Sequence, residues 1–328
     1  MTQPTLHLDA SRPADLARAR GLLAEGKLVA LPTETVYGLA ALCHLPVAVA
    51  RVFEAKERPH FDPLIVHVAD AAQAEGEGLV SAWPAGARAL IDVYWPGPLT
   101  LVVPRGEAVH DLVCAGLPGV ALRSPQHPTA RALLEGGCRP WVAPSANRFG
   151  HISPTQAEHV LADLSGRIDA VLDGGPCPLG IESTVVSFLS GIPEVLRLGP
   201  IGMPALARVL PGVRFGQRVL ERPLAPGQLA RHYAPRTPLR LHTSPETLAP
   251  DARSALLVLG EDAPPAAAIF GCVVLLGSEG DAAAAAAQLF ATLRTLDGEG
   301  HDRLDVLCRG VGPLWDAIRD RLTRAAAD

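Results

Sequence analysis

Residues 26–38 read GKLVALPTETVYG. Positions 28–31 form a short apolar run closed by Pro32, the pattern of a buried strand, and the chain passes from it straight into Thr33, Glu34, Thr35 and Tyr37. Polar groups gathered at the end of an apolar strand are how α/β proteins hold ligands, because the strand fixes the backbone while the loop presents side chains. Hydroxyls so placed can fix a small polar molecule; a capped turn would use the same residues. Upstream, residues 13–24 predict a helix with Ser11 as its cap, Leu16, Ala19, Leu22 and Leu23 on its apolar side and Gly26 as its stop.

Working outward, apolar runs bounded by Gly or Pro at residues 64–68, 99–103, 120–122, 141–143, 170–172 and 184–188 predict further strands, with helical patterns between several of them. This alternation argues for an α/β fold, a twisted mixed sheet with helices, over residues 1–210. Residues 211–238 are rich in Pro and Gly without periodicity and predict an extended linker that can serve as a lid. Beyond it, LRLHT, ALLVLG, AIFGCVVLLG and LDVLC predict strands, and residues 281–297 and 314–327 predict helices. That order suggests a small C-terminal Rossmann-like α/β domain over residues 239–328; it lacks GxGxxG, so no dinucleotide is implied.

The chain has 328 residues, 48% hydrophobic and 19% charged, enough to bury a real core and too apolar for disorder. With a net charge of −5, no overall field draws it to nucleic acid or to an anionic membrane, so any polyanion must meet a local basic site. No run reaches the ~18 apolar residues of a membrane span and residues 1–13 carry no leader pattern, so a cytoplasmic protein is expected. Six cysteines, Cys43, Cys114, Cys138, Cys177, Cys272 and Cys308, lie 24 residues or more apart and predict reduced thiols rather than a disulfide framework. Phosphate-loop, nucleophile-elbow and zinc-protease motifs are missing, the histidines are scattered, and no protein metal site is expected.

Several other polar segments follow apolar runs. Lys56-Glu57-Arg58 sets an ammonium and a guanidinium two apart; on an extended segment they would share one side, either clamping phosphate oxygens or simply solvated. His67 ends the 64–68 run, Arg123 follows 120–122, and Ala143-Pro144-Ser145-Ala146-Asn147 closes 141–143. Ser153-Pro154-Thr155-Gln156 fits a helix start with Ser153 as cap, and a helix amino terminus also suits an anion. Asp173-Gly174-Gly175 leads to Glu182 and Ser183 at the mouth of a strand, and Arg197 stands in VLRLGP. In the linker, Arg231-His232-Tyr233-Ala234-Pro235 carries an aromatic ring with a polar tip, suited either to stacking on a nucleotide or to anchoring the linker.

In this order the stretches GKLVALPTETVYGLA, FEAKERPHFDPLIVHVAD, WPGPLTLVV, LRSPQHP, APSANRFGHISPT, GIESTVV, VLRLGPI and APGQLARHYAPRTP closely resemble the threonylcarbamoyl-AMP synthases with a YrdC-type catalytic domain, in their two-domain form. The resemblance spans nearly the whole chain. It implies that L-threonine, bicarbonate or CO2 and ATP are condensed to threonylcarbamoyl-AMP and pyrophosphate, with Mg2+ bound with ATP. The product would pass to a separate tRNA threonylcarbamoyl transferase that modifies tRNA position 37. The family pattern further implies that Thr35, His67, Arg123, Ser183 and the Ala143 backbone bind threonine. It assigns ATP to Arg58, Asp62, Ser145, Asn147, Ser153, Arg197 and Tyr233, and catalysis to Lys56 and Arg58.

The chain departs from that pattern at Asp62, where a neutral or basic residue is expected and a carboxylate would repel phosphate. Arg148-Phe149, Leu198, Ala225 and Gln228 also replace family residues, without removing an anchor group. The main alternative, a non-enzymatic double-stranded RNA-binding module, would need a basic stripe that this acidic chain lacks, so stable tRNA binding is not expected. A carbamoyl-adenylate enzyme of hydrogenase maturation would carry zinc-finger and acylphosphatase modules that this sequence does not contain.

Overall fold

Fifteen strands form among the residues that the computed structural model describes, 4–216 and 223–327. The first eleven are β1 (Leu6–Asp9), β2 (Val29–Pro32), β3 (Tyr37–Leu42), β4 (Ile65–His67), β5 (Leu99–Pro104), β6 (Gly119–Arg123), β7 (Trp141–Val142), β8 (Ala170–Asp173), β9 (Thr184–Ser187), β10 (Glu194–Arg197) and β11 (Arg214–Phe215). They join one mixed sheet in the order β1-β8-β2-β3-β7-β4-β6-β5-β9-β10-β11. Its central strands read as near-continuous apolar runs because both faces are covered there. One face packs Leu39, Leu101 and Leu122 against Val52 and Phe53 of the helix Pro46–Lys56. The other packs Leu31, Trp141 and Leu172 against Leu22 and Leu23 of Pro13–Ala24 and Leu133 of Pro128–Glu135.

The remaining strands, β12 (Leu239–His242), β13 (Ser254–Leu259), β14 (Cys272–Leu276) and β15 (Arg303–Cys308), form a parallel sheet in the order β12-β15-β13-β14. The alanine run makes a helix, Ala282–Gly298, whose start is capped by the Asp281 carboxylate accepting from the amides of Ala283 and Ala284. It packs with Pro313–Ala325 on this sheet through Leu289, Phe290, Ile318 and Leu322. The same cluster takes in Val36, Ile152, Ile181 and Tyr233, so the smaller unit shares its core with the larger one.

Two expected caps differ. Arg12, not Ser11, precedes the helix Pro13–Ala24 and makes no side-chain cap, while the Ser11 hydroxyl donates to Asp9. Ser153 caps nothing: the helix begins at Ala157, because residues 154 and 155 spend their carbonyls accepting from the amides of Tyr37 and Cys177. β1, β3, β10 and β11 fall outside the expected runs; β3 (YGLAAL) is poor in β-branched residues and becomes a strand because its neighbours bury it. Of the expected linker, β11 occupies the start, residues 217–222 lie outside the described residues, and 223–238 form neither helix nor strand. Among the described residues no helix is long and apolar enough to cross a membrane. All six cysteines are free thiols.

Candidate functional site

The turn between β2 and β3 folds around Thr33, whose hydroxyl donates to the Val36 carbonyl at 2.7 Å and accepts from the amides of Thr35 and Val36. Closing the turn on Thr33 leaves the Thr35 side chain facing a cavity. Behind it lies Gly38. A Cβ there would stand 2.9 Å from that of Ala143, so glycine is what lets residues 143–145 lie against β3, where Leu39 donates to the Pro144 carbonyl and Ala146 to that of Tyr37. Ala143 and Ser145 reach the cavity wall this way.

β4 and β6 run parallel with His67 opposite Arg123, each the last residue of its strand. Arg123 donates to the Thr35 hydroxyl at 2.8 Å and its Nη2 lies 2.7 Å from Oε1 of the buried Glu34. Burial pushes the Glu34 pKa up, but the guanidinium outweighs it and holds the carboxyl below its ordinary range. Burial, then the Arg123 charge, drive the His67 pKa down to about 3, and its Nδ1 has no partner. His67 is therefore a neutral hydrogen-bonding group at physiological pH.

Ser183 directly precedes β9, and Arg197 is the last residue of β10. Arg197 donates to the Ser183 hydroxyl, to the Ser183 carbonyl and to the Pro226 carbonyl of the linker, each at 3.0 Å. The Ser183 hydroxyl also lies 2.7 Å from that of Thr100. His232 and Tyr233 of the linker close the cavity, which holds about 510 Å3 of empty space counting its mouth. The Tyr233 hydroxyl is buried without a partner and its pKa is pushed up to about 12 by burial.

The cavity thus gathers Thr35, Arg58, His67, Arg123, Ala143, Ser145, Ser183, Arg197 and Tyr233 from the expected set. Lys56, Asp62 and Ser153 stand one bond behind, and Asn147 one bond behind Lys56. The expected clamp of Lys56 and Arg58 on one side of an extended segment is not formed. Lys56 is the last residue of the helix Pro46–Lys56, and Glu57, at φ 56°, turns the chain left-handed. The Lys56 ammonium is buried and donates to the carbonyls of Ser145 and Asn147. Burial, then the Arg58 charge, set its pKa well below that of a free lysine.

Nor is Arg58 exposed. It is 6% accessible, donates to the carbonyls of Asp62 and Pro63, and sits 2.8 Å from the Asp62 carboxylate. Asp62 is thereby an internal counter-ion; burial raises its pKa despite that partner. The Asn147 amide donates to the carbonyls of Arg148 and His151, and the Ser153 hydroxyl donates to Glu182.

Glu34, Thr100, Glu182 and His232 belong to this network without having been assigned a role, although all four lie inside the quoted segments. Arg321, whose Nε donates to the Glu182 carboxylate at 2.9 Å, carried no motif at all. Glu182 in the cavity wall, and Glu34 and Asp62 behind it, are each matched by an arginine: Arg321, Arg123 and Arg58 respectively. Among the described residues, Cys272, Glu299 and His301 bring thiol, carboxylate and imidazole donors within 4.8 Å of one another, on the smaller unit and outside the cavity lining.

Comparison with known proteins adds a second line. Residues 21–199 match the family model described as Telomere recombination (Sua5_yciO_yrdC), and residues 201–327 match the one described as Threonylcarbamoyl-AMP synthase, C-terminal domain. The chain is 44% identical over 238 residues to the threonylcarbamoyl-AMP synthase of Bacillus subtilis, covering 71% of this chain and 68% of that protein. It is also 44% identical over 221 residues to that of Pyrococcus abyssi, covering 66% of this chain and 64% of that protein. Among solved structures it is similar to P. abyssi Sua5 complexed with L-threonine, with a TM-score of 0.86 and 33% identity over 98% of this chain and 97% of that one.

Proposed function

The chain belongs to the threonylcarbamoyl-AMP synthase family, and on that premise we propose that it condenses L-threonine, bicarbonate or CO2 and ATP to threonylcarbamoyl-AMP and pyrophosphate. The observation that carries the reading is one cavity in which Thr35, His67, Arg123 and Ser183 share a wall with Arg58, Ser145, Arg197 and Tyr233. The first four suit an amino acid. Arg123 offers its positive charge to the threonine carboxylate, while the hydroxyls of Thr35 and Ser183, the Ala143 backbone and the neutral His67 orient amine and side chain. Arg58, Ser145, Arg197 and Tyr233 suit the nucleotide.

The chemistry needs no side-chain nucleophile. The deprotonated threonine amine adds to CO2, or to bicarbonate with loss of water, and one oxygen of the resulting carbamate attacks the ATP α-phosphorus as the bond to pyrophosphate breaks. Both reactants are anions, so the protein's part is to position them and to offset their repulsion with Arg58, Arg123 and Arg197 in a site poor in water. Mg2+ enters with ATP as part of the substrate and neutralises phosphate charge. Because the cavity carboxylates are already matched by arginines, phosphate oxygens and water are the ligands left to this hard cation. Lys56, Asp62, Asn147 and Ser153 support the nucleotide side from behind. The product, a mixed anhydride, passes in the cytoplasm to a tRNA threonylcarbamoyl transferase.

Purified protein given ATP, L-threonine, bicarbonate and Mg2+ should release pyrophosphate only when threonine is present. Release that ignores threonine, or none at all, overturns the reading.

A further inference from the structure

The smaller unit does more than carry the linker. Its helix Pro313–Ala325 holds Arg321, which is 1% exposed and reaches 139 positions back along the chain to Glu182 in the cavity wall. Nε donates to Glu182 Oε2 at 2.9 Å, Nη2 to the Glu182 carbonyl at 3.4 Å and Nη1 to Asp320 at 3.0 Å. The guanidinium carbon also lies 5.4 Å from the centre of the Tyr233 ring, and that ring stacks on Phe290 with centroids 5.7 Å apart.

Tyr233 needs this support. Its φ of 63° is left-handed, a conformation that a non-glycine residue keeps only when its surroundings impose it. The same helix grips the preceding linker: the Arg324 carbonyl accepts from the His232 amide and Arg324 Nη1 donates to the Leu229 carbonyl. Glu182 directly precedes Ser183, so whatever fixes the Glu182 backbone and carboxylate fixes the entry to β9 as well. A buried ion pair adds little stability over a well-packed apolar pair, which leaves geometry as what this one supplies.

We propose that Arg321 is a positioning residue of the active site, through which docking of the C-terminal unit places both Glu182, beside Ser183, and the Tyr233 ring. The proposal rests on the reading of the cavity as the site of threonylcarbamoyl-AMP synthesis.

The test compares wild type, Arg321→Met, Arg321→Lys and the double variant Arg321→Met/Glu182→Gln by pyrophosphate release across pH 6 to 8 and by calorimetric binding of ATP. Arg321→Met should lose about 10-fold or more in kcat/KM and bind ATP more weakly. Its rate should also fall toward pH 6 in a limb absent from wild type, as the buried Glu182, left with Arg197 as its nearby cation and Ser153 as its hydrogen-bond donor, takes up a proton more readily. Arg321→Lys and the double variant should both lack that limb, and neither should regain the ATP affinity that cover of Tyr233 provides. Wild-type kcat, KM and pH dependence in folded Arg321→Met would overturn the proposal. So would a loss equal to the unfolded fraction in a thermal melt. Should Arg321→Met fail to fold, Arg321→Lys decides by its ATP affinity alone, unchanged affinity counting against. A wild type that releases no threonine-dependent pyrophosphate would refute the activity, while the ratio of ATP affinities would still decide the role of Arg321.

Discussion

The parallel register of β4 and β6 sets His67 directly opposite Arg123, so the imidazole at the end of one strand is buried beside the guanidinium at the end of the next. Burial does most to keep that histidine neutral, and the neighbouring Arg123 charge adds to it.

A first expectation concerns pH. With its pKa near 3, His67 stays neutral in the folded state while the unfolded chain protonates it near pH 6.5. Between those values the unfolded state binds more protons, so His67 makes stability rise with pH, by up to about 1.4 kcal/mol per pH unit. Chemical denaturation from pH 4 to 6.5 should show that slope flattening in His67→Gln. The pH profile of kcat should keep its shape in the same variant, since His67 is not a proton carrier; a lost limb would reject that role.

Arg123→Ala should raise the KM for threonine about 10- to 100-fold, the worth of a charge-assisted pair. It also strands Glu34, 5% exposed, without its cation, at a cost of about 3–5 kcal/mol in stability. Adding Glu34→Gln should recover most of that stability and none of the threonine affinity. Denaturation and steady-state kinetics on the two variants separate structure from binding; recovery of both would mean that Arg123 only supports the fold.

Gly38→Ala places a methyl group 2.9 Å from the Ala143 Cβ, at a point where two backbone segments touch. Pushing them apart should cost about 1–3 kcal/mol and move Ala143 and Ser145 together. Threonine and ATP affinities, read by calorimetry, should both fall, where a change at a surface turn would leave them alone.

Lys56→Met removes the donor shared by the Ser145 and Asn147 carbonyls. Each buried carbonyl left bare costs about 1–3 kcal/mol, and the loop that carries Ser145 should loosen. The KM for ATP should rise about 10-fold, more than that for threonine. A collapse of kcat with both KM values unchanged would instead place the ammonium on the reacting groups.

Much of the site was legible in the residues themselves. PTET, RHY and the strand-closing Arg123 pair chemistry with position, because an apolar run that stops at a polar residue marks where backbone order ends and side chains become available. Other features were not legible. Arg58 reads as an exposed group, clamping phosphate or solvated, since nothing local announces that a left-handed Glu57 turns it inward onto Asp62. Thr100 hides inside a strand, where a hydroxyl is compatible with either face. Arg321 belongs to a helix whose other arginines, Arg319 and Arg324, look the same in sequence, and only the docking of that helix onto Glu182 distinguishes it.

Sequence alone determined the inventory: which short runs must be buried, which polar groups end them, and that a second α/β unit follows a proline-rich connection. Hydrophobic periodicity and turn chemistry act over a few residues, and those are the distances at which they inform. Tertiary structure decided which ends meet. The order β3-β7-β4-β6-β5-β9-β10 brings positions 35 to 197 to one cavity, and Arg321 braces two residues of its wall, Glu182 and Tyr233, from behind. Such pairings are paid in loop entropy and returned in buried area and ion pairs across many elements at once, a balance that no local stretch of sequence records.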